Sequence, residues 1–190
     1  MRTAVACAVG LALCLPCGTL CHELLGHGLT GVLLGGRITE LHVLGVDLWP
    51  RPRWVGWQGY YGWCGVEGLS SDAADAWMGL AGSASTWLVA AVASVALWLR
   101  RWRGVARVAL VCASLWWIDA ATYLLPAFGL KRSILWGGDY AEPYECAMRL
   151  GADGPLFLAV VYAGSGLMAA ALVWRLATDR PPAAAAKQRR

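Results

Sequence analysis

The chain has 190 residues, 58% of them hydrophobic and 15% charged, with a formal net charge of +4. Four long apolar stretches occupy much of it, more apolar surface than a soluble domain of this size can bury. That excludes most soluble enzymes, zinc fingers and nucleic-acid binders and leaves an integral membrane protein with no nucleic-acid partner.

The first stretch covers residues 3–34, interrupted by His22, Glu23 and His27; the others are 79–99, 108–130 and 154–174. About 20 residues cross a bilayer core, so each of the last three reads as one membrane helix. The first would be about 50 Å long as a straight helix. Pro16, Gly18, Gly26 and Gly28 mark where it kinks, or where a crossing helix gives way to a partly inserted one. The expected fold is an all-α integral membrane protein with about four transmembrane helices, the first kinked or extended. Residues 1–178 read as a single transmembrane domain. Residues 179–190, with Pro181, Pro182 and four alanines, read as a disordered cytoplasmic tail. No A-x-A-like site precedes a polar start, so removal of the first stretch as a signal peptide is not expected.

Charge sets the orientation. Arg100, Arg101, Arg103 and Arg107 crowd the connection between the second and third spans. Arg175, Arg180, Lys187, Arg189 and Arg190 follow the fourth span, and Arg2 precedes the first. One topology places all three clusters in the cytoplasm: four spans with both termini inside. The two remaining connections then face outward and carry the acids Glu40, Asp47, Glu67, Asp72, Asp75, Asp139, Glu142, Glu145 and Asp153. The expected location is a bacterial inner (plasma) membrane.

Trp49, Trp54, Trp57 and Trp63, with Tyr60 and Tyr61, crowd the long first connection. Indole rings settle at the headgroup level, so this segment reads as a hairpin lying at the interface or as an aromatic substrate surface. Loose alternation over 41–55 is compatible with short strands. Of the seven cysteines, Cys14, Cys17 and Cys21 share one helical stripe and read as small apolar residues. Cys64 and Cys146 fall in the two outward connections, where a disulfide is geometrically open.

The informative run is Cys21-His22-Glu23-Leu24-Leu25-Gly26-His27-Gly28. Two imidazoles and a carboxylate are costly beside a membrane unless they serve each other or an ion. Imidazoles suit zinc, and an adjacent Glu takes a proton from water at the metal. The usual spacing is H-E-x-x-H. Here the histidines are five apart, which places them about 140° apart on a regular α-helix. A π-bulge restores a common face, and Gly26 is where such distortion is cheapest. Alternatively Glu23 and His27, four apart, form the facing pair. His42 reads as a surface residue.

The run from His22 to Arg37 resembles the first catalytic helix of the site-2 protease family of intramembrane zinc metallopeptidases. Leu80-Ala81-Gly82-Ser83-Ala84-Ser85-Thr86-Trp87-Leu88 resembles the small-residue segment that begins a following span in that family. Tyr123-Leu124-Leu125-Pro126 is similar to its N-x-x-P element, with Tyr123 replacing Asn. The family's third ligand, an Asp in L-D-G, has no direct counterpart here. Asp139, beside Gly137 and Gly138 and beyond the third span, is the preferred third ligand, with Asp119 inside that span as the alternative.

The resemblance implies a membrane-embedded zinc metalloendopeptidase in which His22, His27 and Asp139 hold Zn²⁺ and Glu23 is the catalytic base. Its partners are membrane lipid and a membrane-associated protein substrate, with room for a partner subunit. The alternative is a non-catalytic membrane scaffold or assembly subunit with a degenerate site.

Overall fold

The structure, a computed structural model, describes residues 2–132 and 138–178. The tail expected over 179–190 lies outside the described residues. Among the described residues, four helical spans are long and apolar enough to cross a membrane: Ala8–Leu33, Asp72–Leu99, Gly104–Phe128 and Gly154–Thr178. The membrane-spanning part is thus the expected bundle of α-helices. Its first member is irregular, as helix α1 (Arg2–Leu20) passes into a π-helix (Cys21–Gly28) and then into α2 (Leu29–Leu33).

The connection between the first two spans adds a small sheet to this bundle. It has four antiparallel strands: β1 (Arg37–Val43), β2 (Val46–Trp49), β3 (Arg53–Trp54) and β4 (Gly62–Glu67), in the order β3-β2-β1-β4. Leu44 and Gly45 make the β1–β2 turn with φ of 48° and 85°. Positive φ at both central residues matches the twist of a two-residue hairpin, and Gly at the second position keeps it inexpensive. Leu41 pairs with Trp49 on one side and Cys64 on the other, so β1 is central and β4 is an edge.

Helix α3 (Asp72–Leu99) begins at Ser71, whose hydroxyl accepts the Ala74 N–H at 3.2 Å, with Asp72 and Asp75 in the first turn. Both features stabilise a helix N-terminus. α3 is the hub of the bundle and packs on the π-helix and on every later helix. Its buried face is built from Ala76, Gly79, Gly82, Ser83, Thr86, Ala90 and Ala93. Small residues let helices approach closely where lipid supplies no hydrophobic drive between them. Leu88, Val92 and Val95 point away from the bundle, toward the lipid side.

The third span divides into α4 (Gly104–Ser114), α5 (Trp117–Tyr123) and a 3₁₀ turn (Leu125–Phe128). At the division the N–H groups of Leu115 and Trp116 donate to Cys112 and Ala113, three residues back. The Trp116 indole donates to the Cys14 carbonyl at 3.1 Å, which holds α5 against the first span.

Helix α6 (Glu142–Arg149) precedes α7 (Gly154–Thr178). Arg149 reaches Asp75 Oδ2 at 2.9 Å and the Asp72 carbonyl at 3.0 Å, fastening α6 to the start of α3. Arg175 on α7 donates to the Leu97 carbonyl at 2.8 Å, at the opposite end of α3. The sheet and α6 therefore share the end of the bundle at which α3 begins.

Candidate metal centre

The π-helix answers the five-residue spacing of the histidines. With the chain widened, the Leu29 N–H reaches the Leu24 carbonyl five residues back. His22 and His27 are both buried and their rings meet edge to face, 4.8 Å between centroids.

Each imidazole is held from behind. His22 Nδ1–H donates to Asp119 Oδ2 at 2.7 Å, and the same oxygen accepts from the Thr86 hydroxyl at 2.7 Å. His27 Nδ1–H donates to the Met78 carbonyl at 2.9 Å. The acceptors keep the ring protons on Nδ1 and leave both Nε2 lone pairs free. Such outer hydrogen bonds fix the tautomer of metal-binding histidines. His22 Nε2 is buried with no hydrogen-bond partner among the described residues. A buried polar atom left so costs about 1–3 kcal/mol.

The two Nε2 atoms converge on Gly82. A Cβ built on Gly82 would stand 2.5 Å from His27 Nε2 and 2.6 Å from His22 Nε2. Absence of a side chain there creates the space between them. Glu142, the first residue of α6, brings Oε2 to 3.8 Å from His27 Nε2. Ligand atoms of His22, His27 and Glu142 all lie within 4.8 Å of one another. Two imidazoles and a carboxylate form a ligand set suited to zinc, at about 2.0–2.2 Å from each donor. The residues fit a divalent cation by donor chemistry, by the unpartnered His22 nitrogen and by the space at Gly82.

Asp119 serves His22 from behind. Asp139 has an 80% exposed side chain, its carboxylate 3.9 Å from the Lys131 ammonium. Glu142 was visible in the sequence only as one of several acids. The signal that places it is Pro143, since Pro at the first turn marks a helix start and so puts Glu142 at a helix N-terminus. Burial holds the Glu142 carboxyl above the usual carboxylate range, against the opposing fields of His22 and Arg132.

Glu23, also buried, turns toward the sheet. A Cβ on Gly62 of β4 would lie 2.5 Å from Glu23 Oε1, so the glycine is the hollow that receives this carboxylate. Beside the cluster, the ring of Tyr123 stacks on His22 with centroids 5.2 Å apart, and the Arg132 guanidinium carbon sits 3.0 Å from the Tyr123 centroid.

Three other residues have different places than the sequence suggests. His42 is buried, not at the surface. Its Nδ1–H donates to Asp47 at 3.0 Å and its Nε2 accepts the Gly45 N–H at 3.2 Å, so it is spent on the hairpin turn. Cys64 and Cys146 are both free thiols. Burial pushes each up to about 11, so they stay protonated near neutral pH and are poor metal ligands. An open cavity of about 320 Å³ lies on the sheet, with Glu40, Trp49, Tyr60 and Trp63 in its walls and none of the cluster residues.

No family model, curated protein or solved structure matches the chain. The protein is a membrane-helix bundle carrying a His22–His27–Glu142 cluster that could hold a metal ion.

Proposed function

We propose that the protein is a membrane-embedded zinc peptidase that cleaves a membrane-associated polypeptide. One observation carries this reading: two buried imidazoles, their protons committed to Asp119 and Met78, turn both Nε2 lone pairs into the space left by Gly82. In this proposal His22, His27 and Glu142 hold the ion, with Glu142 in the role the sequence assigned to Asp139. Zinc at such a site polarises a carbonyl and lowers the pKa of water.

The chain's own groups do the rest. Glu23 takes the proton of the attacking water and returns it to the leaving amine. Asp119 and Thr86 keep His22 in register. β4 has β1 on one side only, and its Gly62 abuts Glu23. An extended substrate segment adding to that edge would run its backbone past the carboxylate. The exposed rings of Trp49, Trp57 and Trp63 would hold the sheet at the membrane interface. With both termini cytoplasmic, this end of the bundle faces outward.

A non-catalytic scaffold has less support. A polar cluster serving only to hold helices together would not leave His22 Nε2 buried without a partner. The test is cleavage of a labelled membrane-spanning peptide in detergent micelles by the zinc-loaded parent and its Glu23→Gln variant. The parent cleaves. The variant keeps its zinc and loses cleavage by at least about 10²-fold, as removal of a general base does. Equal cleavage by both would refute the assignment.

A further inference from the structure

The sheet has two faces, and the proposed peptidase site uses one of them. Gly62 and Cys64 of β4 lie toward the π-helix, against Glu23 and Gly28. The other face carries the open cavity of about 320 Å³. A row of its lining residues crosses all four strands: Trp63 on β4 pairs with His42 on β1, His42 with Asp47 on β2, and Asp47 with Arg53 on β3. Residues directly opposite one another in a sheet project to the same side. Trp49 pairs with the buried Leu41, yet it lines the cavity too. The register slips between Leu41 and His42, and such a bulge re-aims a side chain. The Trp49 indole is then fixed by donating to the Ile38 carbonyl at 3.2 Å. Tyr60 is fixed by its edge contact with His42, 5.1 Å between ring centroids.

Charge in this cavity stands in two places. The Asp47 carboxylate is already engaged: one oxygen accepts from His42 Nδ1–H at 3.0 Å and the other from Arg53 Nε–H at 2.6 Å. That contact uses only the Nε–H of Arg53 and leaves its terminal amino groups to a ligand. Glu40, two residues before His42, has no ion pair among the described residues. The cavity thus offers an unmatched carboxylate on β1, with the rings of Trp49, Tyr60 and Trp63 in the same walls, and a guanidinium two strands away on β3. A carboxylate and aromatic faces together attract an ammonium group. A guanidinium fork suits a phosphate. Indole rings such as the exposed ones of Trp54 and Trp57 settle at headgroup depth, where one molecule carries both groups.

We propose that this face of the sheet binds the headgroup of an aminophospholipid, the ammonium held by Glu40 and the aromatic walls and the phosphate by Arg53. The site shares no residue with the metal cluster, so it stands or falls apart from the peptidase reading. A lipid fits better than a basic side chain of a polypeptide, which brings an ammonium but leaves Arg53 unanswered. A lipid seated here would tie the sheet to the bilayer surface from the face opposite Glu23.

The test is a binding measurement on the full chain in mild detergent. Short-chain phosphatidylethanolamine and phosphatidylglycerol with the same acyl chains are titrated in turn, and calorimetry gives each affinity. The parent should bind phosphatidylethanolamine saturably, and phosphatidylglycerol, which lacks the ammonium, at least about tenfold more weakly. Glu40→Gln should weaken phosphatidylethanolamine by at least about tenfold, the loss of a charged hydrogen-bond partner, and leave phosphatidylglycerol unchanged. Arg53→Gln should weaken both lipids. Equal affinity of the parent for the two lipids would overturn the proposal, as would an unchanged phosphatidylethanolamine affinity in either variant. Lysine amide, an ammonium without phosphate, is the third probe. If it binds the parent as tightly as phosphatidylethanolamine, the proposal fails and the cavity belongs to a basic side chain. Zinc content enters none of these outcomes, so a failed peptidase reading leaves the result intact.

Discussion

Gly26 and Gly82 meet backbone to backbone. A Cβ built on Gly26 would lie 2.5 Å from Gly82 Cα and 2.7 Å from the Ala81 carbonyl oxygen. This crossing brings the π-helix close enough to α3 for His27 to reach the Met78 carbonyl, and it puts the bare face of Gly82 opposite both imidazoles. The two glycines thus do different things, and their alanine variants separate packing from ligand space. Gly26→Ala must push one helix off the other, with an overpacking cost of about 1–3 kcal/mol, read as a lowered unfolding midpoint in detergent. Gly82→Ala presses on side-chain nitrogens instead. It should leave the metal-free unfolding midpoint nearly unchanged and weaken zinc by at least about tenfold, the low end for displaced metal-site geometry. Equal effects of the two variants on both readouts would contradict this division.

In the proposed centre Asp119 would act on the metal through His22, whose Nδ1 it holds at 2.7 Å. Asp119→Asn keeps the side-chain shape, but the amide no longer supplies the carboxylate that makes the imidazole a stronger donor. Zinc affinity should fall about 10–100-fold, the range for loss of such an outer partner. Thr86→Val, which removes the second hydrogen bond to the same oxygen, should fall short of that. Competition with a chelator of known affinity measures both. Undiminished affinity in Asp119→Asn would show that the 2.7 Å contact to His22 is not part of a metal centre.

Gly62 shapes the pocket of Glu23: the three atoms nearest a Cβ built there belong to Glu23 and Thr19. Gly62→Ala should therefore lower peptide cleavage while zinc per chain stays at the parent value. Parent-level cleavage by Gly62→Ala would mean that Glu23 does not work from its position against β4.

Much of this arrangement is readable along the chain, because apolar run length and the H-E-x-x-x-H spacing are local properties. The four spans follow from runs of about 20 apolar residues. The need for a widened turn follows from His22 and His27 being five apart. The division of the third span at Leu115 and Trp116 has no local mark, since neither Pro nor Gly stands there; it follows from contacts such as that of the Trp116 indole with Cys14. β4 is hidden for another reason: Gly62 and Gly65 lower its strand propensity, and they are there to accommodate Glu23 and the Thr39–Glu40 segment. Glu142 lies 115 residues beyond His27 in number and reaches it only because α6 docks on the start of α3. No spacing rule spans that distance, whereas Asp139, three residues earlier, is marked locally by Gly137 and Gly138.

Topology is open to a simple check. Reporter fusions after Arg103 should report a cytoplasmic position and fusions after Gly68 an external one, as the basic connection between α3 and α4 requires. The reverse pattern would place the Glu23 pocket on the cytoplasmic side.

The central claim is that His22, His27 and Glu142 form one metal centre. Its most direct test is zinc per chain after purification in mild detergent, for the parent and for His22→Ala, His27→Ala, Glu142→Gln and Asp139→Asn. The account predicts about one zinc per chain in the parent and in Asp139→Asn, as a single mononuclear site does, and loss of zinc in the other three. A parent without zinc, or a Glu142→Gln variant that keeps it while Asp139→Asn loses it, would contradict the account.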